Sequence, residues 1–184
     1  MENYLHYQSF LESPKYVKSP IIIGETKENH PQSFHLVREL DSINSVFRNA
    51  KLLIEVTKGF CDRYSASIIS DDIQGKQLFR FDTKGGDHIN GFDTSIPLSE
   101  RKVSVPHFHQ FNKEGYMFAY KTKEIQGDAS DRFSYNLDYG LSLFFEKAHI
   151  YDRATGEVPQ ITFAPGVLNG NLFELFSDFV CNSL

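Results

Sequence analysis

Hydrophobic and polar positions alternate most cleanly over Lys51 to Lys58. Leu52, Ile54 and Val56 fall on one side and Leu53, Glu55 and Thr57 on the other, the period of two of a half-buried strand, and Gly59 ends it. Tyr64 to Ser70 reads as its hairpin partner, Asp71 to Gly75 as a turn, and Gln77 to Asp82 as the next strand. On that strand Leu78, Arg80 and Asp82 are expected to point one way, and Phe79 and Phe81 the other. After a loop from Thr83 to Pro97, Val103 to Phe111 resumes the strand pattern and Tyr116 to Tyr120 adds one more. Ile21 to Ile23, β-branched and closed by Gly24, is another short strand, as is Ile161 to Phe163. Gln32 to Leu40 fits a helix as well as a strand, because Phe34, Leu36, Val37 and Leu40 satisfy both periods.

Helical spacing predominates in three places. Residues 1–12 carry a loose apolar side of Tyr4, Leu5, Phe10 and Leu11. Leu137, Leu141, Phe144, Phe145 and Ala148 predict an amphipathic helix over about 135–148. Leu172, Phe173, Phe176, Phe179 and Val180 form the apolar face of a terminal helix, with Asn171 and Glu174 spaced like a capping box. The fold class expected is therefore α+β: an antiparallel meander of about five to six strands packed against an N-terminal, a middle and a C-terminal helix, in a single domain over residues 1–184.

Composition refines this picture. Seventeen Phe and nine Tyr with no Trp predict a core built on aromatic rings. The net charge of -5 argues against a broad basic surface for nucleic acid, leaving only a local cationic set of Lys58, Arg63, Arg80, Lys84, Arg101 and Lys102. No apolar run approaches the ~18 residues of a membrane span, and Met1 to His6 shows no cationic region leading into an apolar one, so the expected location is the cytoplasm. Cys61 and Cys181 have neither metal-ligand spacing nor a disulfide framework and read as buried or half-buried thiols.

The candidate chemistry is concentrated. Three of the seven histidines, His88, His107 and His109, fall within 22 residues. Two residues apart on one strand, His107 and His109 leave the same face with Cα atoms about 6.5–7 Å apart. One use of that pair is metal-free: His107 and His109 act as general acid and base, Arg80 holds a phosphate, Asp82 orients an imidazole and Tyr116 donates to an oxyanion. His88 supports the pair from the glycine-bearing loop, and Lys58 and Asn90 bind substrate; this chemistry needs no cofactor. The other use is a divalent transition metal such as zinc, iron or nickel, held by His107, His109 and Glu114. That trio is similar to the core of the cupin metal motif, His-x-His-x(4)-Glu, although residue 101 is Arg where the motif places glycine and no second half follows. The bland alternatives are an Arg80–Asp82 ion pair and a plain turn at Asn90-Gly91. His6, His30, His35 and His149 read as structural or exposed.

Several of these residues together carry a resemblance. Leu78-Phe-Arg80-Phe-Asp82, the loop with His88 and Asn90, Pro106-His107-Phe-His109 and Glu114-Gly-Tyr116 resemble an uncharacterised prokaryotic family with an Arg-x-Asp strand, a Gly-Pro-Pro-His-x-Asn loop and a Pro-His-x-His strand. Leu53 to Gly59 and Phe173 to Asn182 are similar to its upstream strand and closing helix. This chain lacks the double proline of the loop, and 121–165 reads as a family insertion. The family is distantly similar to TumE-type toxins of toxin–antitoxin pairs. The resemblance implies an RNA-directed toxin; joined to the metal-free chemistry of the His pair and Arg80, it leads to the expectation of a metal-independent ribonuclease-like toxin or phage-defence factor, acting on RNA or another nucleotide-containing substrate, with a cognate antitoxin or another protein as partner. Two alternatives stand beside it: a non-catalytic toxin–antitoxin or defence component that binds a partner protein, and a small His-ligated metalloprotein.

Overall fold

The computed structural model describes residues 4–26, 29–43, 47, 49–60, 62–72, 77–92, 94–127 and 136–165. Cys61, Cys181, the turn at 73–76 and the expected terminal helix lie outside them.

A six-stranded, wholly antiparallel sheet dominates the α+β fold. Numbering strands in chain order, β1 is Lys15–Val17, β2 Ile21–Ile23, β3 Ser33–Glu39, β4 Asp41–Ser42, β5 Ala50–Thr57, β6 Tyr64–Ser70, β7 Gln77–Asp82, β8 His88–Ile89, β9 Lys102–Val103, β10 His107–Phe111, β11 Met117–Tyr120, β12 Ile150–Asp152 and β13 Ile161–Phe163. The large sheet has the order β11-β10-β7-β6-β5-β3, so its strands follow one another as the meander expected. The ambiguous stretch around Phe34 becomes β3, because pairing with all seven residues from Lys51 to Thr57 satisfies its backbone.

Two helices are described, α1 over Tyr4–Glu12 and α2 over Leu137–Lys147. The Asn136 side chain accepts from the Tyr139 N–H and starts α2. Both helices contribute to the core that covers the apolar face of the sheet, where Phe79 stacks between Phe108 and Phe144 with ring centroids 5.5 and 5.7 Å away. On α1 the buried residues are Tyr7 and Phe10, while Leu5 is exposed, contrary to the expected apolar side. The Tyr7 hydroxyl donates to Leu78 O and accepts from the Phe111 N–H, tying the helix to two strands.

Segment 121–165 is woven into the N-terminal part: β12 pairs parallel with β1, and β13 parallel with β2. One further expectation needs correction. Leu78 belongs to the core, not to the Arg80 and Asp82 side, because the pairing of β6 with β7 shifts register between Ile68 and Ile69 and leaves Leu78 without a partner. Among the described residues no helix is long and apolar enough to cross a membrane.

Candidate functional site

The register carries one polar row straight across five strands. His35 stands opposite Glu55, Glu55 opposite Ser65, Ser65 opposite Asp82, and Asp82 opposite His107. Paired residues of an antiparallel ladder share a face, so these side chains lie on the side away from the phenylalanines. The next row places Ser67 opposite Arg80 and Arg80 opposite His109. Phe81 and Phe108, paired between the two rows, hold the strands from the core side with ring centroids 4.6 Å apart.

Asp82, His107 and His109 are buried and form the centre of the site. Asp82 Oδ2 lies 3.1 Å from His109 Nε2 and 4.0 Å from His107 Nε2. One potential ligand atom from each of the three residues falls within 4.8 Å of the other two. Arg80 Nε donates to Asp82 Oδ1 at 2.8 Å and sits 2.7 Å from Oδ2, which fixes the carboxylate. His107 Nδ1 faces Ser104 O at 3.2 Å. A carbonyl can only accept, so this contact assigns the ring proton to Nδ1 and leaves a lone pair on Nε2, turned toward the carboxylate. Burial is the main reason that His107 titrates below the ordinary histidine value; the Ser104 carbonyl opposes this and His109 adds to it. His88 is lowered as well, by burial and then by His109. Both shifts favour the uncharged imidazole, the form that can donate an electron pair.

His88 reaches the pair from β8, which forms a two-stranded ribbon with β9 within the loop after β7. Its ring centroid is 4.8 Å from that of His109 and 6.1 Å from that of His107, and the latter two are 4.6 Å apart. Five of the expected residues, Arg80, Asp82, His88, His107 and His109, are thus brought together.

The others are not. Tyr116 is exposed and stacks on Phe92 with ring centroids 6.0 Å apart. Glu114 is exposed on the turn between β10 and β11, closed by Gly115 N–H to Asn112 O, so the carboxylate beside the histidines is that of Asp82. Lys58, past the end of β5, places its ammonium over the Phe34 ring at 5.2 Å. Asn90 spends both ends of its amide on Ala119: Nδ2 donates to Ala119 O and Oδ1 accepts from the Ala119 N–H, each at 2.8 Å.

Two neighbours were missed from sequence. Glu55, bonded by Lys84 and 4.0 Å from His35 Nδ1, was visible as the polar member of an alternating strand, but nothing local tied it to Asp82. Ser104 acts through its backbone carbonyl, which leaves no mark in sequence. No family model, curated protein or solved structure matches the chain.

Proposed function

We propose that the protein hydrolyses phosphodiester bonds of RNA at a centre where Asp82, His107 and His109 hold a divalent transition metal. The metal part of this reading rests on one observation: three buried donors converge within 4.8 Å while the Ser104 carbonyl turns the His107 lone pair inward. Ligating histidines characteristically give their second ring N–H to such an acceptor, and ligating carboxylates are themselves hydrogen-bonded, as Arg80 does for Asp82. Two imidazoles and one carboxylate suit zinc or a neighbouring first-row ion. Such an ion supplies Lewis acidity toward a phosphoryl oxygen. With Arg80 paired to Asp82, a centre loaded with a divalent ion would be cationic and would attract an anionic substrate. RNA as that substrate comes from the resemblance to TumE-type toxins.

A second reading keeps the metal out. Arg80 has a side chain 33% exposed, and its Nη2 has no hydrogen bond among the described residues. It can take a phosphate directly, with His109 and His88 beside it as the acid–base pair. One experiment separates the two readings. Protein purified without a histidine tag is assayed for metal content and for RNA cleavage, before and after chelation and reloading. The metal reading expects about one ion per chain and activity that follows the metal. Undiminished cleavage by fully stripped protein would favour the second reading, and no cleavage in any state would remove RNA from both.

A further inference from the structure

We propose that His88 is the fourth ligand of the metal centre and that Asn90 is the residue that seats it there. The inference rests on the metal reading above and adds a donor from a different element. The His88 imidazole, unlike its backbone, makes no hydrogen bond among the described residues, and it stands edge-on to both His107 and His109.

The three ring separations fit a shared ion. A metal–nitrogen bond of about 2.0–2.1 Å puts a ring centroid roughly 3 Å from the metal. Two imidazoles at tetrahedral or right angles then have centroids roughly 4.5–5 Å apart, and nearly opposed ones roughly 6 Å. The observed centroid separations of 4.6, 4.8 and 6.1 Å fall in those ranges, while the ligand atoms that already converge within 4.8 Å are those of Asp82, His107 and His109, so ligation by His88 requires its ring to turn toward them.

His88 lies on a loop, and a loop donor needs an anchor. Asn90, two residues on, supplies it. β11 is the edge strand of the large sheet, and Ala119 stands opposite His109. The N–H and C=O of one residue in an antiparallel strand point to the same side. Both of Ala119's go to Asn90, so the amide pairs with the free edge of the sheet as a single residue of a seventh strand would. The neighbouring backbone joins the same ribbon through Asn90 N–H to Arg101 O, and Phe92 stacks on Tyr116 and packs edge-on to Phe118. Only Asn or Gln offers a donor and an acceptor side by side in this way, and Gln is one methylene too long for the same backbone position. Asn90 is a positioning residue: it acts on the ion through His88.

Cobalt(II) alone is the probe, because its visible absorption reports ligand number and type. Wild type, His88→Ala, Asn90→Ala and the double variant are titrated, with Asn90→Asp as a second test that removes the donor and keeps one acceptor. Thermal melts of the metal-free proteins verify that each is folded. The expectation is that His88→Ala changes the cobalt spectrum and weakens binding by more than about 100-fold, beyond the roughly 10–100-fold cost of losing a partner behind a ligand. Asn90→Ala and Asn90→Asp should move the spectrum in the same direction, and the double variant should be no worse than His88→Ala alone. A His88→Ala spectrum identical to wild type overturns the ligand assignment while leaving the centre of Asp82, His107 and His109 standing. An unchanged spectrum and affinity in both Asn90 variants overturns the seating role. Wild-type protein that takes up no cobalt removes the metal centre itself and this inference with it.

Discussion

Asp82 and His109 come together at 3.1 Å, Oδ2 to Nε2, because β7 and β10 are neighbours in the sheet although a long excursion separates them in the chain. Arg80 holds the other side of the same carboxylate. The consequences of this arrangement can be measured.

Asp82→Asn removes the negative charge and leaves a side chain of nearly the same shape. Metal affinity should fall by more than about 100-fold, since loss of a direct ligand exceeds the 10–100-fold cost of losing a partner behind one. Competition against a chromogenic chelator measures it. A change of less than about threefold would show that Asp82 is not a ligand.

Acid should destabilise the metal-free protein. His88 and His107 both bind protons less readily folded than unfolded, chiefly because they are buried. The unfolded chain therefore takes up more protons as pH falls below the ordinary histidine value of about 6.5. Their contribution to stability is complete above that pH and is lost as pH falls through 6.5 toward the lower folded-state values. Urea midpoints between pH 7.5 and 5 should decline, and His107→Gln should decline less. Bound metal should steepen the dependence, because its ligands must be unprotonated.

Lys15 is fully buried, and its ammonium donates to Leu11 O, Ser13 O and Ala148 O at 2.8–2.9 Å. It joins the end of α1 to the end of α2. Lys15→Met preserves bulk but leaves three carbonyls without their donor. It should cost about 3 kcal/mol in denaturant unfolding without changing metal stoichiometry.

Among the described residues His149 is the only non-glycine with positive φ, at 52°, where α2 ends and its N–H bonds Glu146 O. Helices commonly place glycine there. His149→Gly should raise stability by about 1 kcal/mol, read as a shift in urea midpoint. A loss of stability would mean that the imidazole, 3.5 Å from the Tyr151 hydroxyl, contributes more than the backbone strain costs.

The sequence alone determined what depends on neighbours along the chain. Alternation over Lys51 to Lys58 set which side chains of β5 are buried, and helical spacing placed α2, because side-chain direction is fixed by local backbone geometry. The same rule put Arg80 and Asp82 on one face and His107 and His109 on one face of their own strand. Tertiary structure decided everything that needed two segments at once. It set the Asp82–His107 register that makes the centre, and the shift at Ile68 that draws Leu78 into the core. It also gave the carboxylate position to Asp82 instead of Glu114. Asn90 shows the limit most plainly: it reads locally as a turn before Gly91, and only the sheet edge at Ala119 supplies the backbone pair that its amide matches. Hydrogen-bond partners and ligand sets are relations between distant residues, and those distances are fixed only when the strands have paired.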